Sequence, residues 1–228
     1  MYQSEQLSIV IITIALCSAF VYLGKKLEKL NKDEVPTGLV FAVVQGVSMI
    51  TNYTQSNMGQ KAGRKFAPFI TSVFIYMFVS NISGLIGLSP PTGNFSVTLG
   101  FALVSWIIIQ ATKIKENGVK GFIKGFFEPF PFFVIPNIFG TIAPLVSMSL
   151  RLFGNITSGS VIMLLLYQFT AWLSSFIPYV GGFNIISLIV TPWLHLYFDL
   201  FSGFLQSFLF ISLTSIFIAV EFNNKEEH

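Results

Sequence analysis

Residues 145–177 read LVSMSLRLFGNITSGSVIMLLLYQFTAWLSSFI, and residues 184–220 read NIISLIVTPWLHLYFDLFSGFLQSFLFISLTSIFIAV. As helices, at about 1.5 Å per residue, these two runs measure roughly 50 and 55 Å against a bilayer hydrocarbon core of about 30 Å. Upright helices of that length do not fit. Neither run holds a polar break that would let it fold into two full spans, so the pair is expected as a hairpin tilted beyond the usual roughly 0–40°. Pro178 and the Gly181–Gly182 pair divide one run from the other. Tilted helices need neighbours to lean on, which the rest of the chain must supply.

The chain has 228 residues, 53% of them hydrophobic and 10% charged, with 26 Phe. A soluble domain carries about 25% charged residues. With a mean hydropathy of +0.73, this is an all-α integral membrane protein by composition. A soluble enzyme, a disulfide-stapled secreted domain and a disordered tail are excluded. Cys17, the one cysteine, lies in an apolar run and has no partner for an intrachain disulfide. The net charge of +3 does not mark a nucleic-acid binder, because the cations are scattered beside apolar runs without a basic-aromatic motif.

Ser8 to Leu23 is expected as a first span. Its head lacks Lys and Arg, whereas Lys25, Lys26, Lys29 and Lys32 follow it. That is the reverse of a secretory signal, so the helix is read as uncleaved, with its N-terminus outside. Thr37 to Tyr53, interrupted by Gly38, Gln45, Gly46 and Ser48, is expected to lie in the interface. Phe66 to Leu88 and Phe95 to Thr112 form a helical hairpin around the uncharged turn Ser89 to Asn94. Gly125 to Thr141 holds Pro129, Pro131 and Pro136 and is read as a re-entrant or in-plane segment. The resulting fold has about five spanning helices plus one interfacial helix. Residues 1–65 are the N-terminal span and cytoplasmic or interfacial segment, and residues 66–228 the core. Of the 13 Lys and Arg residues, only Arg151 falls outside the segments placed in the cytoplasm, which puts the C-terminus inside.

From Pro129 to Val220 the only formal charges are Arg151 and Asp199, joined by His195. A charge at the bilayer centre costs on the order of 3 kcal/mol, so such a residue marks a functional site by default. Helical spacing puts Ser147, Arg151, Asn155, Ser158 and Ile162 on one face beside Gly154 and Gly159, where small neighbours leave the guanidinium room. Arg suits such a place because it keeps its proton. On the last helix His195, Asp199, Ser202 and Gln206 share a face, a polar stripe fit for proton relay. No phosphate loop, metal cluster or nucleophile elbow is present, so no nucleotide, cofactor or metal site is expected in this chain.

The run Ser147-Met-Ser-Leu-Arg151-Leu-Phe-Gly-Asn155-Ile-Thr-Ser-Gly159 closely resembles the signature of subunit a of F-type ATP synthases. Asn81 to Asn94, Gly118 to Pro129 and Leu205 to Phe210 match the family in order. The resemblance covers roughly residues 66 to 222. It implies a stator subunit facing a rotating ring of c subunits, with peripheral-stalk b subunits and membrane lipids as further partners. Ions would pass through two offset half-channels and couple to ATP synthesis or hydrolysis in another chain.

Arg151 then matches the essential ring-facing cation, Asn155 its partner, and Gln206 the glutamine of the last helix. Asp199, His195, Ser147, Ser160 and Ser202 are half-channel candidates. The expected ion is the proton, with sodium as the alternative, and the expected location a bacterial plasma membrane. The chain departs from the family pattern at Ser160, where many members carry Glu or His. It departs also in lacking an acidic residue between Pro129 and Leu150, which leaves one half-channel without an evident lining. A stand-alone secondary transporter or channel is the rival reading, disfavoured by the absence of internal repeats. A scaffold whose polar stripes only specify packing is a third.

Overall fold

The computed structural model describes residues 2–28, 38–176 and 184–223. Lys29, Lys32, Pro36, Pro178, the Gly181–Gly182 pair and the tail from Lys225 lie outside them. The described residues form α1 (Tyr2–Glu28), α2 (Leu39–Ile82), α3 (Phe95–Phe127), α4 (Val134–Ser174), α5 (Ile185–His195) and α6 (Gly203–Asn223). Short 3₁₀ turns stand at Ser83–Ile86, Pro91–Gly93 and Pro131–Phe133, and a π-helical segment at Leu196–Ser202 joins α5 to α6. Among the described residues five stretches are long and apolar enough to cross a membrane: Gln6–Glu28, Val40–Ile86, Phe95–Phe127, Pro131–Ser174 and Ile186–Phe222. The chain is an all-α integral membrane protein, as its composition requires.

Two glycines break long helices in stretches that lie between the segments expected from sequence. Gly59 has φ 77° and ψ 164° inside α2, and Gly118 has φ 71° and ψ 163° inside α3. These are conformations that side chains with a Cβ rarely adopt. The part of α2 before Gly59, expected in the interface, rests on α6: Tyr53 donates to Ser212 Oγ at 2.8 Å and its ring packs on Phe208.

The segment from Gly125 to Thr141, expected as one re-entrant or in-plane element, is divided between two helices and a turn. Gly125 to Phe127 finish α3, Glu128 to Phe133 make the turn, and α4 starts at Val134 and runs unbroken for 41 residues. The prolines explain the difference in detail. Pro129 and Pro131 occupy the turn, while Pro136 sits in the first turn of α4, where its missing N–H has no partner to lose. Asn137 holds the turn by donating to the carbonyls of Phe126 and Glu128 at 2.9 and 3.0 Å.

At about 1.5 Å per residue α4 measures roughly 60 Å, and the continuous rod from Ile185 to Asn223 nearly as much. Asn184 closes their hairpin. Its side chain caps α5 by accepting from Ser187 N at 3.0 Å, and it meets Thr170 Oγ1 and Ser174 Oγ of α4.

The second half of α2 runs antiparallel to α6, with Ile70, Met77, Phe210, Ile211 and Ile218 buried between them and Ala102 and Ile109 of α3 against the same core. Phe66 meets Phe222 at one end, and Asn81 meets Gly203 at the other. The cations of the core follow that polarity: Lys113 of α3 pairs with Glu221 at the Phe222 end.

Asn81 is the buried knot at the opposite end. It donates to Gly203 O and Ser207 Oγ, both at 3.1 Å, and accepts from Thr92 Oγ1 at 2.7 Å. A Cβ on Gly203 would stand 2.8 Å from the Cβ of Asn81. Gly203→Ala therefore overpacks a site that also carries three buried hydrogen bonds. The expected cost is about 1–3 kcal/mol, read as a lower thermal transition of the purified complex and less assembled subunit. A variant as stable as the parent would show that α2 and α6 are not locked here.

Candidate functional site

α4 is the least enclosed of the core helices: 11% of its apolar stretch is buried, against 56% for the last span. Leu150 and Val146 beside Arg151 are about half exposed. Arg151 is exposed, and among the described residues it has no hydrogen bond or ion pair. A hollow of about 310 Å³ opens next to it, lined by Gly140, Pro144, Ser147, Leu213 and Phe217 among others.

Register across the two long helices positions the remaining candidates. A Cβ on Gly159 would lie 3.6 Å from the Phe198 ring, so the helices approach closely there. One turn back along α4, Asn155 Oδ1 accepts from Ser202 Oγ at 2.8 Å. Further along, Thr214 Oγ1 reaches Met148 Sδ at 3.8 Å. Arg151 lies between these two contacts, opposite the turn of α6 that begins at Gln206. Gln206 is buried and no hydrogen bond joins it to Arg151. Ser147, Ser158 and Ile162 share the open face with Arg151, whereas Asn155 turns inward to the last helix.

The stripe on the last helix is bent by the π segment, in which the backbone bonds i to i+5 and the face rotates. His195 ends α5, and its Nδ1 meets Asp199 Oδ2 at 2.7 Å. Its Nε2 meets Tyr167 Oη of α4 at 3.0 Å. The three side chains form one hydrogen-bonded row, Tyr167–His195–Asp199, across the hairpin. Asp199 stands over the 3₁₀ turn after α2, where a Cβ on Gly84 would be 3.7 Å from its carboxylate. A cleft of about 280 Å³ opens there, lined by Asn81, Gly84, Asn155, Ser160, His195 and Asp199 among others. Thus Asn155, Ser160, His195 and Asp199 are gathered in one cleft, Ser202 is tied to it through Asn155, and Arg151 with Ser147 lies beyond it.

Sequence reading missed Tyr167, because no spacing within one helix reveals a partner 28 positions away. It also missed Asn81 as a wall of the cleft, although the Asn81 to Asn94 motif was visible. A third hollow, of about 280 Å³, lies at the Lys113 end between α3, α4 and α6. Among the described residues no cluster of His, Cys, Asp and Glu is arranged to hold a metal ion.

The family model described as ATP synthase A chain matches residues 6–219. The ATP synthase subunit a of Mycoplasmoides gallisepticum is 33% identical over 219 residues, covering 90% of this chain and 72% of that protein. That of Desulforamulus reducens is 37% identical over 174 residues, covering 76% of this chain and 63% of the relative. A relative from Propionigenium modestum, named ATP synthase subunit a, sodium ion specific, is 35% identical over 171 residues, covering 68% of this chain and 54% of its own length. The chain thus spans between about half and three quarters of the length of these relatives.

Proposed function

Because the chain belongs to the ATP synthase A chain family, and so serves ion translocation by the membrane sector of an ATP synthase, we propose that it is the stator against which a ring of carboxylate-bearing c subunits turns. The observation that carries this reading is the unpartnered Arg151 on the open apolar face of α4, between the Asp199 cleft on one side and the Ser147 hollow on the other. A ring carboxylate that has given up its ion is costly in a low-dielectric site unless a fixed cation is near. Arg151 supplies that cation and holds the two routes apart, so charge crosses only when the ring carries it from one to the other.

In this reading the cleft of Asp199, His195, Ser160 and Asn155 is the outer half-channel. Gln206 packs behind the arginine turn, and Ser147 begins the inner route. The N-terminus lies outside, and the lysine-rich end inside, of a bacterial plasma membrane. The helix before Gly59 lies along the inner surface, with peripheral-stalk b subunits and lipid against the remaining faces.

The proposed ion is the proton. The Tyr167–His195–Asp199 row joins groups that accept and release protons, and such a row passes a proton by exchange of hydrogen bonds. Reconstituted vesicles holding the assembled complex should acidify on ATP addition at the same rate with and without added sodium. A rate that rises with sodium, with no acidification in sodium-free buffer, would assign sodium instead.

A further inference from the structure

The hollow at the lysine-rich end lies between α3, α4 and α6 and shares Gly140, Pro144 and Phe217 with the hollow beside Arg151. The two are therefore neighbours along one wall. Glu221, Lys113, Gln110 and Asn137 are its polar lining. Lys113 Nζ lies 3.5 Å from Glu221 Oε1, with the glutamate side chain 12% exposed. The other carboxylate oxygen, Glu221 Oε2, is buried with no hydrogen-bond partner among the described residues, and the same holds for Gln110 Oε1.

Two buried acceptors in one place without a donor among the described residues are uncommon, because each costs about 1–3 kcal/mol when left unmade. Both residues line a hollow of about 280 Å³, roomy enough for several waters. The donors that suit such oxygens are O–H groups of water and its protonated form. The ion pair adds a second property. With Lys113 beside it, the carboxylate carries little net charge toward the hollow, so it attracts a cation without becoming a deep trap for it.

We propose that Glu221 is the proton acceptor of the inner half-channel, with Gln110 orienting the water through which the proton reaches it. The inference rests on the half-channel reading above and assigns the lining that the acid-free stretch from Pro129 to Leu150 leaves open. A proton released from a ring carboxylate passes through the Ser147 hollow into water of the hollow at the lysine-rich end and on to the Glu221 carboxylate. Glu221 then returns it to the inner solution, and its carboxylate is restored. Nothing is consumed, and in the synthesis and hydrolysis directions the same steps run in opposite order.

A purely structural ion pair behaves differently from a proton acceptor, and paired variants separate the two. In assembled membrane sectors stripped of the nucleotide-binding sector, Glu221→Gln should slow passive proton conduction by roughly tenfold, on the low side of what a positioned proton acceptor contributes once water shares the task. The double variant Glu221→Gln with Lys113→Gln leaves no unpaired buried charge, and it should remain equally slow. Conduction at the parent rate in Glu221→Gln, or its return to the parent rate in the double variant, would overturn the proposal. Either result beside an Arg151→Ala complex that no longer pumps would leave the half-channel reading standing, whereas normal pumping by Arg151→Ala would remove that reading itself.

Discussion

Arg151→Ala should abolish ATP-driven proton pumping by the assembled complex. The guanidinium is the one cation on the open face of α4 among the described residues, and none of those residues pairs with it. Removing it leaves an ionised ring carboxylate facing Leu150, Val146 and the Ser147 hollow with no counter-charge. On the scale of about 3 kcal/mol for an uncompensated charge at membrane depth, and tenfold for each 1.4 kcal/mol, the loss is roughly a hundredfold or more. Arg151→Lys should not restore the rate. An ammonium lacks the planar fork that spans two carboxylate oxygens, and it releases its proton more readily where water is scarce. The measurement is ATP-driven acidification of vesicles, normalised to assembled complex.

Asp199→Asn is the second large effect. Asp199 is the acidic member of the cleft, hydrogen-bonded to His195 at 2.7 Å and seated over Gly84. An amide keeps the shape and can still accept a hydrogen bond, but it cannot take up and release a proton. Ion entry from the outer side then depends on water and on His195 alone. Pumping should fall by about ten- to a hundredfold, within the range of a lost acid–base group, with assembly unchanged. Tyr167 stands at the far end of the same row and touches His195, not Asp199, so this account places the acid–base duty on the carboxylate. Unchanged pumping by Asp199→Asn across a range of pH would reduce the residue to packing.

The long runs from Leu145 and from Asn184 were legible because apolar length has a single physical meaning in a bilayer, and their continuity as α4 and as α5 to α6 follows from it. Arg151 and Asp199 were legible for the complementary reason, that ionisable groups in such runs are rare and costly. Proline misled at Gly125 to Thr141. Its effect depends on whether it falls in a turn, as Pro129 does, or in a helix's first turn, as Pro136 does, and composition does not distinguish these. The breaks at Gly59 and Gly118 were hidden because each glycine lies in a polar stretch between the expected helical runs. The π segment was hidden too, since helical spacing assumes one uniform period and the face around Asp199 does not keep it.

Pairings between helices were the least legible. Tyr167 with His195, Asn81 with Gly203 and Ser207, and Lys113 with Glu221 join positions tens of residues apart. Only the packed register brings them together. The same register leaves α4 with its open face outward, and from that face the account draws its main statement: one fixed cation separates two aqueous routes.

The measurement that reaches that statement most directly is passive proton conduction through membrane sectors carrying Arg151→Ala, freed of the nucleotide-binding sector and held in sealed vesicles under an imposed potential. With assembly equal to the parent, the account predicts proton leak without ring-coupled transport, because the two routes then meet. Vesicles that stay tight while the corresponding complete complex pumps near the parent level would contradict it.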